Sequence, residues 1–332
     1  MIRTIAGLCA ALMMFLQPAA APAAEKGDKA DNAVPEYRVP KNAAKGKFIA
    51  HGQFKAAPFT AGEVTRFMFD GWAGKPIPVW AFVPSGVDLK KAPIMFMMHG
   101  AKRNSARYLL EWVPHAQKYG FVVIAPEFAV RDFSGSRRYN LGFVFGRRDD
   151  TYYLREEEKW TFSAIEPLFD HAVRELGSVQ TGYTLYGHSA GSQFVHRFLY
   201  YKPEARVKRF LAANAGWYTM PDAEQVYPYG FKDPYGLADA ALGEDRIRMA
   251  VQKDMIILLG DKDIDGSHPS LRRTPEAMLQ GAHRFNRGAS FLDAGRLQAE
   301  RLGVEFGWRG AVVKDVAHSN GGIAKVAAKY VK

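Results

Sequence analysis

Cysteine is almost absent from this chain: Cys9 is the only one in 332 residues. It lies inside an N-terminal apolar stretch, so a chain trimmed of that stretch has none. Disulfides and a cysteine nucleophile are then excluded, and the protein can enter an oxidising compartment unbridged. Long apolar runs are equally scarce. Ile5 to Leu16 is too short to cross a bilayer as a helix. With Arg3 before it and Ala21-Pro22-Ala23 after it, residues 1–24 read as a secretory signal peptide. No lipobox precedes Cys9, and the short, alanine-rich run speaks against a permanent anchor. The expectation is an exported protein, periplasmic or extracellular, with no integral membrane segment once the signal is removed.

Also missing are a zinc knuckle, a basic helix suited to nucleic acid, an internal repeat and a low-complexity run. The formal charge is +11, and losing Arg3 with the signal leaves 11 − 1 = +10. Such an excess reads as a solvated surface with a basic bias; adhesion to anionic lipid, cell wall or an acidic polymer is the alternative. No nucleic-acid partner is expected, and the sequence sets no oligomeric state.

What is present is alternation. Residues 25–48 are rich in Lys, Asp, Ala and Pro without periodicity and read as a flexible segment. From 49 to 332 one domain is expected. Phe67 to Asp70 and Pro78 to Val83 flank a turn, as in a β-hairpin. Pro93 to Met98, Phe121 to Ala125, Tyr183 to Tyr186, Phe210 to Ala213, Met255 to Leu259 and Ala311 to Val316 read as strands. Residues 104–118, Thr161 to Leu176, the stretch from Gly191 and residues 322–331 read as helices. Buried strands alternating with helices predict an α/β fold, a mainly parallel central sheet covered on both faces. Residues 129–160 and 217–250 break the alternation. Both are aromatic-rich and read as lid-like insertions over a site.

The strongest motif is Gly187-His188-Ser189-Ala190-Gly191, which matches G-x-S-x-G between a strand and a helix. Its glycines leave room for a strained turn, and the helix start offers N–H groups to a developing oxyanion. Ser189 is the candidate nucleophile. A base should follow the last strand, where His318 lies. His268 is its main rival, and His188 is expected to point away from the reacting centre. His99 reads as packed support, His196 as locally bonded, and His283 sits in a polar helical region.

For the acid, Asp261, Asp263 and Asp265 alternate before Gly266, like the start of an EF-hand loop. That reading fails at position 12 of such a loop, which is Arg272, and at the β-like run preceding it. No metal site follows. A carboxylate just past a strand end suits a catalytic acid instead; Asp263 is the choice and Asp261 the alternative, with Asp315 weaker. His99-Gly100 closes the third strand, so the amides of Ala101 and Ala190 are the candidate oxyanion hole. Trp217, Tyr218 and Tyr139 are candidates for the substrate pocket.

On these residues the chain resembles secreted bacterial α/β-hydrolases, with Ser189, Asp263 and His318 in that family's order. Within the superfamily it is similar to serine esterases related to poly(3-hydroxybutyrate) depolymerase. Where such esterases commonly carry His-Gly-Gly, this chain has His99-Gly100-Ala101. The resemblance implies an eight-stranded sheet and hydrolysis of a small or polymeric ester through an acyl-enzyme, without a cofactor. A peptidase or amidase on the same triad, and a non-catalytic binding protein on a hydrolase scaffold, are the alternatives.

Overall fold

In the computed structural model, residues 58–237 and 243–332 are described. The proposed signal peptide and the segment 25–48 lie outside them. The chain opens with an antiparallel hairpin, β1 (Val64–Phe69) and β2 (Ile77–Phe82), in the register Val64↔Phe82 to Phe69↔Ile77. β3 (Ile94–Met98), α1 (Ser105–Tyr119) and β4 (Val122–Pro126) follow. A small separate hairpin, β5 (Phe145–Arg148) and β6 (Thr151–Leu154), lies in the first insertion. Then come α2 (Ile165–Leu176), β7 (Tyr183–His188), α3 (Ala190–Tyr201), β8 (Val207–Ala213), α4 (Glu244–Val251) and β9 (Met255–Gly260). The chain ends with α5 (Pro275–Leu279), α6 (Arg284–Leu302), β10 (Trp308–Val313) and α7 (Asn320–Ala327).

The main sheet has eight strands in the order β1-β2-β4-β3-β7-β8-β9-β10. β2 runs antiparallel to both its neighbours, and every pair from β4 to β10 is parallel. The mainly parallel sheet is the one expected from the alternation, and its eight strands are those implied by the resemblance to α/β-hydrolases. β3 shows why its sequence is apolar throughout. Ile94, Phe96 and Met98 enter a core layer shared with Phe169, Phe194 and Phe291 of α2, α3 and α6. Met95 and Met97 enter the opposite layer, with Trp112 of α1 and Ile323 of α7. A strand buried on both faces has no polar side to show, and each such side chain contributes about 1.5–3 kcal/mol on burial.

Two expectations shift. The last strand is Trp308–Val313, not Ala311 to Val316. Pairing with β9 stops at Val313↔Gly260, and Asp315 turns the chain at φ +58°. The carbonyl of Val316 then crosses so close to Gly260 that a Cβ there would collide with it. Helix α6 was legible only as a polar helical region. Its buried face includes Gly288 and Gly295, whose missing side chains admit Leu259 and Trp308. Small residues give close packing without an apolar stripe. Among the described residues no helix is long and apolar enough to cross a membrane.

Candidate active site

Strand β7 delivers Ser189 onto a strained turn, φ +58° and ψ −117°, directly before α3. Only a turn without side chains on either flank can close there. A Cβ on Gly187 would overlap the Gly191 carbonyl, and one on Gly191 would overlap the Met98 carbonyl of β3. The Ser189 amide is tied to the Ala213 carbonyl at 3.0 Å, so the elbow is pinned to the next strand. The hydroxyl meets His318 Nε2 at 3.0 Å, and His318 Nδ1 donates to Asp263 Oδ2 at 2.7 Å. That donation leaves Nε2 free to accept from Ser189. The three side chains, 129 and 55 positions apart along the chain, thus meet at the carboxyl ends of β7, β9 and β10.

Asp263 is 2% exposed. Its second oxygen accepts from Arg284 Nη1 at 3.3 Å, and Arg284 is itself 1% exposed in its side chain. Arg284 also donates to Ser270 Oγ at 2.9 Å. No sequence signal marks Arg284, which opens α6 at a position without a motif. Asp261 stays half-buried and does not reach the imidazole. Asp265 is exposed and accepts from Ser267, so the alternating acids do not converge.

The neighbouring histidines sort by their partners. The Phe128 amide donates to His99 Nε2 at 3.1 Å, so Nδ1 carries the proton and donates to the Gly100 carbonyl at 3.1 Å. Burial pushes His99 down to about 3, which keeps it neutral. The Tyr139 hydroxyl donates to the His99 carbonyl at 2.7 Å. His99 and Tyr139 therefore fix the peptide that leads into Gly100 and Ala101. His196 is braced by the Ser192 carbonyl and the Thr219 amide, and His283 caps α6. His188 departs from expectation. It does not point away: its ring centre lies 4.6 Å from that of His318, the two planes tilted, and it shares a 3.0 Å hydrogen bond with the Tyr108 hydroxyl. Burial above all holds it well below the ordinary histidine range. His268 lies 6.0 Å from His318, ring to ring, and does not touch Ser189.

Two cavities meet at Ser189. The first, about 340 Å³, is lined by Ala101, Ala190, Gln193, Trp217 and Tyr139, with Arg103, Arg272 and Arg284 in its wall. Among the described residues no carboxylate lines it. The second, about 320 Å³, is lined by Ala101, His188, His268, His318, Lys102 and Arg107 among others. Trp217 and Tyr139 thus border the first cavity. Tyr218 does not; it is buried, stacked on Phe291 at 4.4 Å, with its amide bonded to Gln280. The guanidinium groups of Arg197 and Arg272 stand 4.1 and 4.6 Å over the Trp217 ring. The first amides of α3, Ala190 among them, have no acceptor within the helix.

An eight-stranded, mainly parallel sheet with a serine elbow at a strand end defines an α/β-hydrolase. No protein-family model and no curated protein matches the chain. Solved structures do. The chain is similar to poly(aspartic acid) hydrolase-1 from Sphingomonas sp. KT-1, 42% identical over 82% of this chain and 99% of that one, TM-score 0.76. It is also similar to LpqC, a poly(3-hydroxybutyrate) depolymerase from Bordetella parapertussis, 31% identical over 81% and 89%, TM-score 0.71. An S-formylglutathione hydrolase from Agrobacterium tumefaciens, 14% identical with TM-score 0.52, shares the fold. The chain belongs to the α/β-hydrolase family that holds the first two, and it is a hydrolytic enzyme.

Proposed function

We propose that Ser189, His318 and Asp263 form a catalytic triad and that the protein hydrolyses carboxylic esters through an acyl-enzyme. The observation that carries this reading is the unbroken hydrogen-bonded run from Asp263 through His318 to Ser189, open to both cavities. His318 Nε2 takes the Ser189 proton as Oγ bonds to the substrate carbonyl carbon. The carbonyl oxygen becomes an oxyanion held by the Ala101 and Ala190 amides. The carbonyl re-forms, the bond to the leaving oxygen breaks, and Nε2 returns its proton to that oxygen. Water then repeats both steps on the acylated serine, releasing the acid and restoring Ser189. Asp263 stays ionised, holds the Nδ1–H tautomer and stabilises the imidazolium. No step calls for a cofactor.

Amide cleavage on the same residues is a second reading, favoured by one observation. The 42% identical relative is a poly(aspartic acid) hydrolase; that polymer is amide-linked and carries carboxylates. The arginine-lined wall of the first cavity suits such a chain. Small-molecule and polymeric acyl substrates both fit within the proposal. Export through residues 1–24 is likewise our proposal, and N-terminal sequencing of protein from the periplasm and medium tests it.

Intact-mass analysis after fluorophosphonate treatment tests the triad: one adduct on wild type and none on Ser189→Ala is the expected result. Hydrolysis retained by Ser189→Ala refutes the assignment. Turnover of p-nitrophenyl esters set against amino-acid p-nitroanilides and poly(aspartic acid) then decides between ester and amide.

A further inference from the structure

Resting on that reading of Ser189, we propose that the first cavity is an acyl-side subsite for a carboxylate, and that Arg272 is the residue that selects it. Two cavities meet at the nucleophile, and the proton traffic tells them apart. His318 must protonate the leaving group, and it lines the second cavity but not the first. The leaving group therefore departs into the second. Ala190 and Gln193, at the start of α3, line the first but not the second. The acyl chain, bonded to Oγ beneath the oxyanion amides, runs that way.

Among the described residues the acyl half then faces three guanidinium groups and no carboxylate. Their duties differ. Arg103 holds the Phe128 and Gly135 carbonyls at 2.6 and 3.0 Å. Arg284 is engaged by Asp263 and Ser270. Arg272 donates through Nε to the Tyr229 hydroxyl at 2.5 Å and stands over the rings of Trp217 and Tyr229 at 4.6 and 5.3 Å. Among the described residues no carboxylate pairs with it. Its fork is thus oriented by two aromatic rings with its terminal donors left for a ligand, the geometry that receives a carboxylate. The second cavity is more balanced, because Arg107 there pairs with Glu111 at 3.5 Å. The substrate is anionic on its acyl side, and charge on its leaving group matters little.

The test compares two esters with one leaving group and equal acyl length, p-nitrophenyl hexanoate and mono-p-nitrophenyl hexanedioate. Wild type is expected to favour the hexanedioate in kcat/KM by about tenfold, the worth of one charge-assisted hydrogen bond. Arg272→Gln is expected to abolish that ratio, and Arg272→Lys to restore part of it. Thermal unfolding of each variant reports that the fold is intact. Phenyl acetate and 4-carboxyphenyl acetate place the charge on the other side, and their ratio is expected to stay near one. No wild-type preference for hexanedioate, or a preference that survives Arg272→Gln, overturns the subsite. If both esters turn over too slowly to read, protection of Ser189 from fluorophosphonate by hexanedioate carries the decision, and lack of protection overturns it. Fluorophosphonate labelling keeps the two failures apart. An unlabelled Ser189 with persisting hydrolysis sinks the triad, whereas a labelled Ser189 with an unchanged ester ratio sinks only the subsite.

Discussion

The proposed reacting centre and the wall facing it are built in different ways. Ser189, Asp263 and His318 sit at or just past the ends of three parallel strands, fixed by backbone bonds such as Ser189 to Ala213 and Asp263 to Gly260. The wall comes from segments outside the regular strands: Arg103 after β3, Tyr139 and Asn140 in the first insertion, Trp217 in the second, Arg272 beyond β9. The sheet allows one geometry at its edge, because a residue more or less would flip the side chains. The wall is held by side chains bonding to carbonyls and rings, which admit substitution. On the proposed function, position of the chemistry belongs to the sheet, and choice of substrate belongs to the loops.

The sharpest break of that comparison removes the nucleophile. Ser189→Ala is expected to lower kcat by about 10⁶-fold, as loss of a nucleophile does in such a triad, with binding of a polymer to the wall unaffected. Ser189→Gly should be equally inactive yet more stable than Ser189→Ala by about 1 kcal/mol, since φ +58° strains any residue with a Cβ. Thermal unfolding of the two variants reads the difference. Equal stabilities would mean that the elbow carries no strain.

Removing the acid's charge comes next. Asp263→Asn is expected to cost about 10⁴-fold in kcat, because the amide no longer dictates the imidazole tautomer. It also leaves Arg284 as a buried cation without its carboxylate, a loss of about 3–5 kcal/mol. Combining it with Arg284→Met should recover stability but not rate. Recovery of both would place the fault in folding alone.

The centre and the wall were not equally legible from sequence. Strand ends could be read because a strand buried on both faces is continuously apolar, and because Gly187 and Gly191 are demanded by backbone clearance. Arg284 could not, since one arginine at the start of a polar helix looks like any other; only the fold brings it to Asp263. Tyr218 and Trp217 are adjacent aromatics that sequence treats alike, yet one is turned onto Phe291 and the other toward the cavity. His188 was misread because an elbow's alternation says which face a side chain takes but not which ring lies beside it. Helix α6 hid its inward face behind glycines.

Acid should weaken the frame that carries both regions. His99, His188 and His196 are all held neutral by burial, His99 down to about 3. In the unfolded chain each takes a proton near the ordinary histidine value of 6.5. Below that pH the unfolded state binds more protons than the folded one, so stability falls as pH falls. Each such histidine contributes a slope of about 1.4 kcal/mol per pH unit, continuing for His99 toward about pH 3. Unfolding free energies measured from pH 7.5 to 4.5 should therefore decline below pH 6.5, and His99→Gln should flatten the decline by one proton. A flat profile would show that these rings are not neutral in the folded protein.

The smallest effect places Tyr139, which touches both regions. Its ring borders the first cavity, while its hydroxyl donates to the His99 carbonyl and stacks the ring 4.7 Å from His99. If the residue serves the centre, Tyr139→Phe frees the peptide leading into Gly100 and Ala101. The expected result is a loss of about 1 kcal/mol in stability and a severalfold fall in kcat with KM almost unmoved, since an oxyanion donor matters only once charge develops. If it serves the wall, the hydroxyl meets substrate in the ground state, and KM rises while kcat holds. The hydroxyl is wholly buried and already engaged, so the first outcome is the one its hydrogen bond dictates. A rise in KM alone would move Tyr139 from the strand-end frame to the substrate-facing loops.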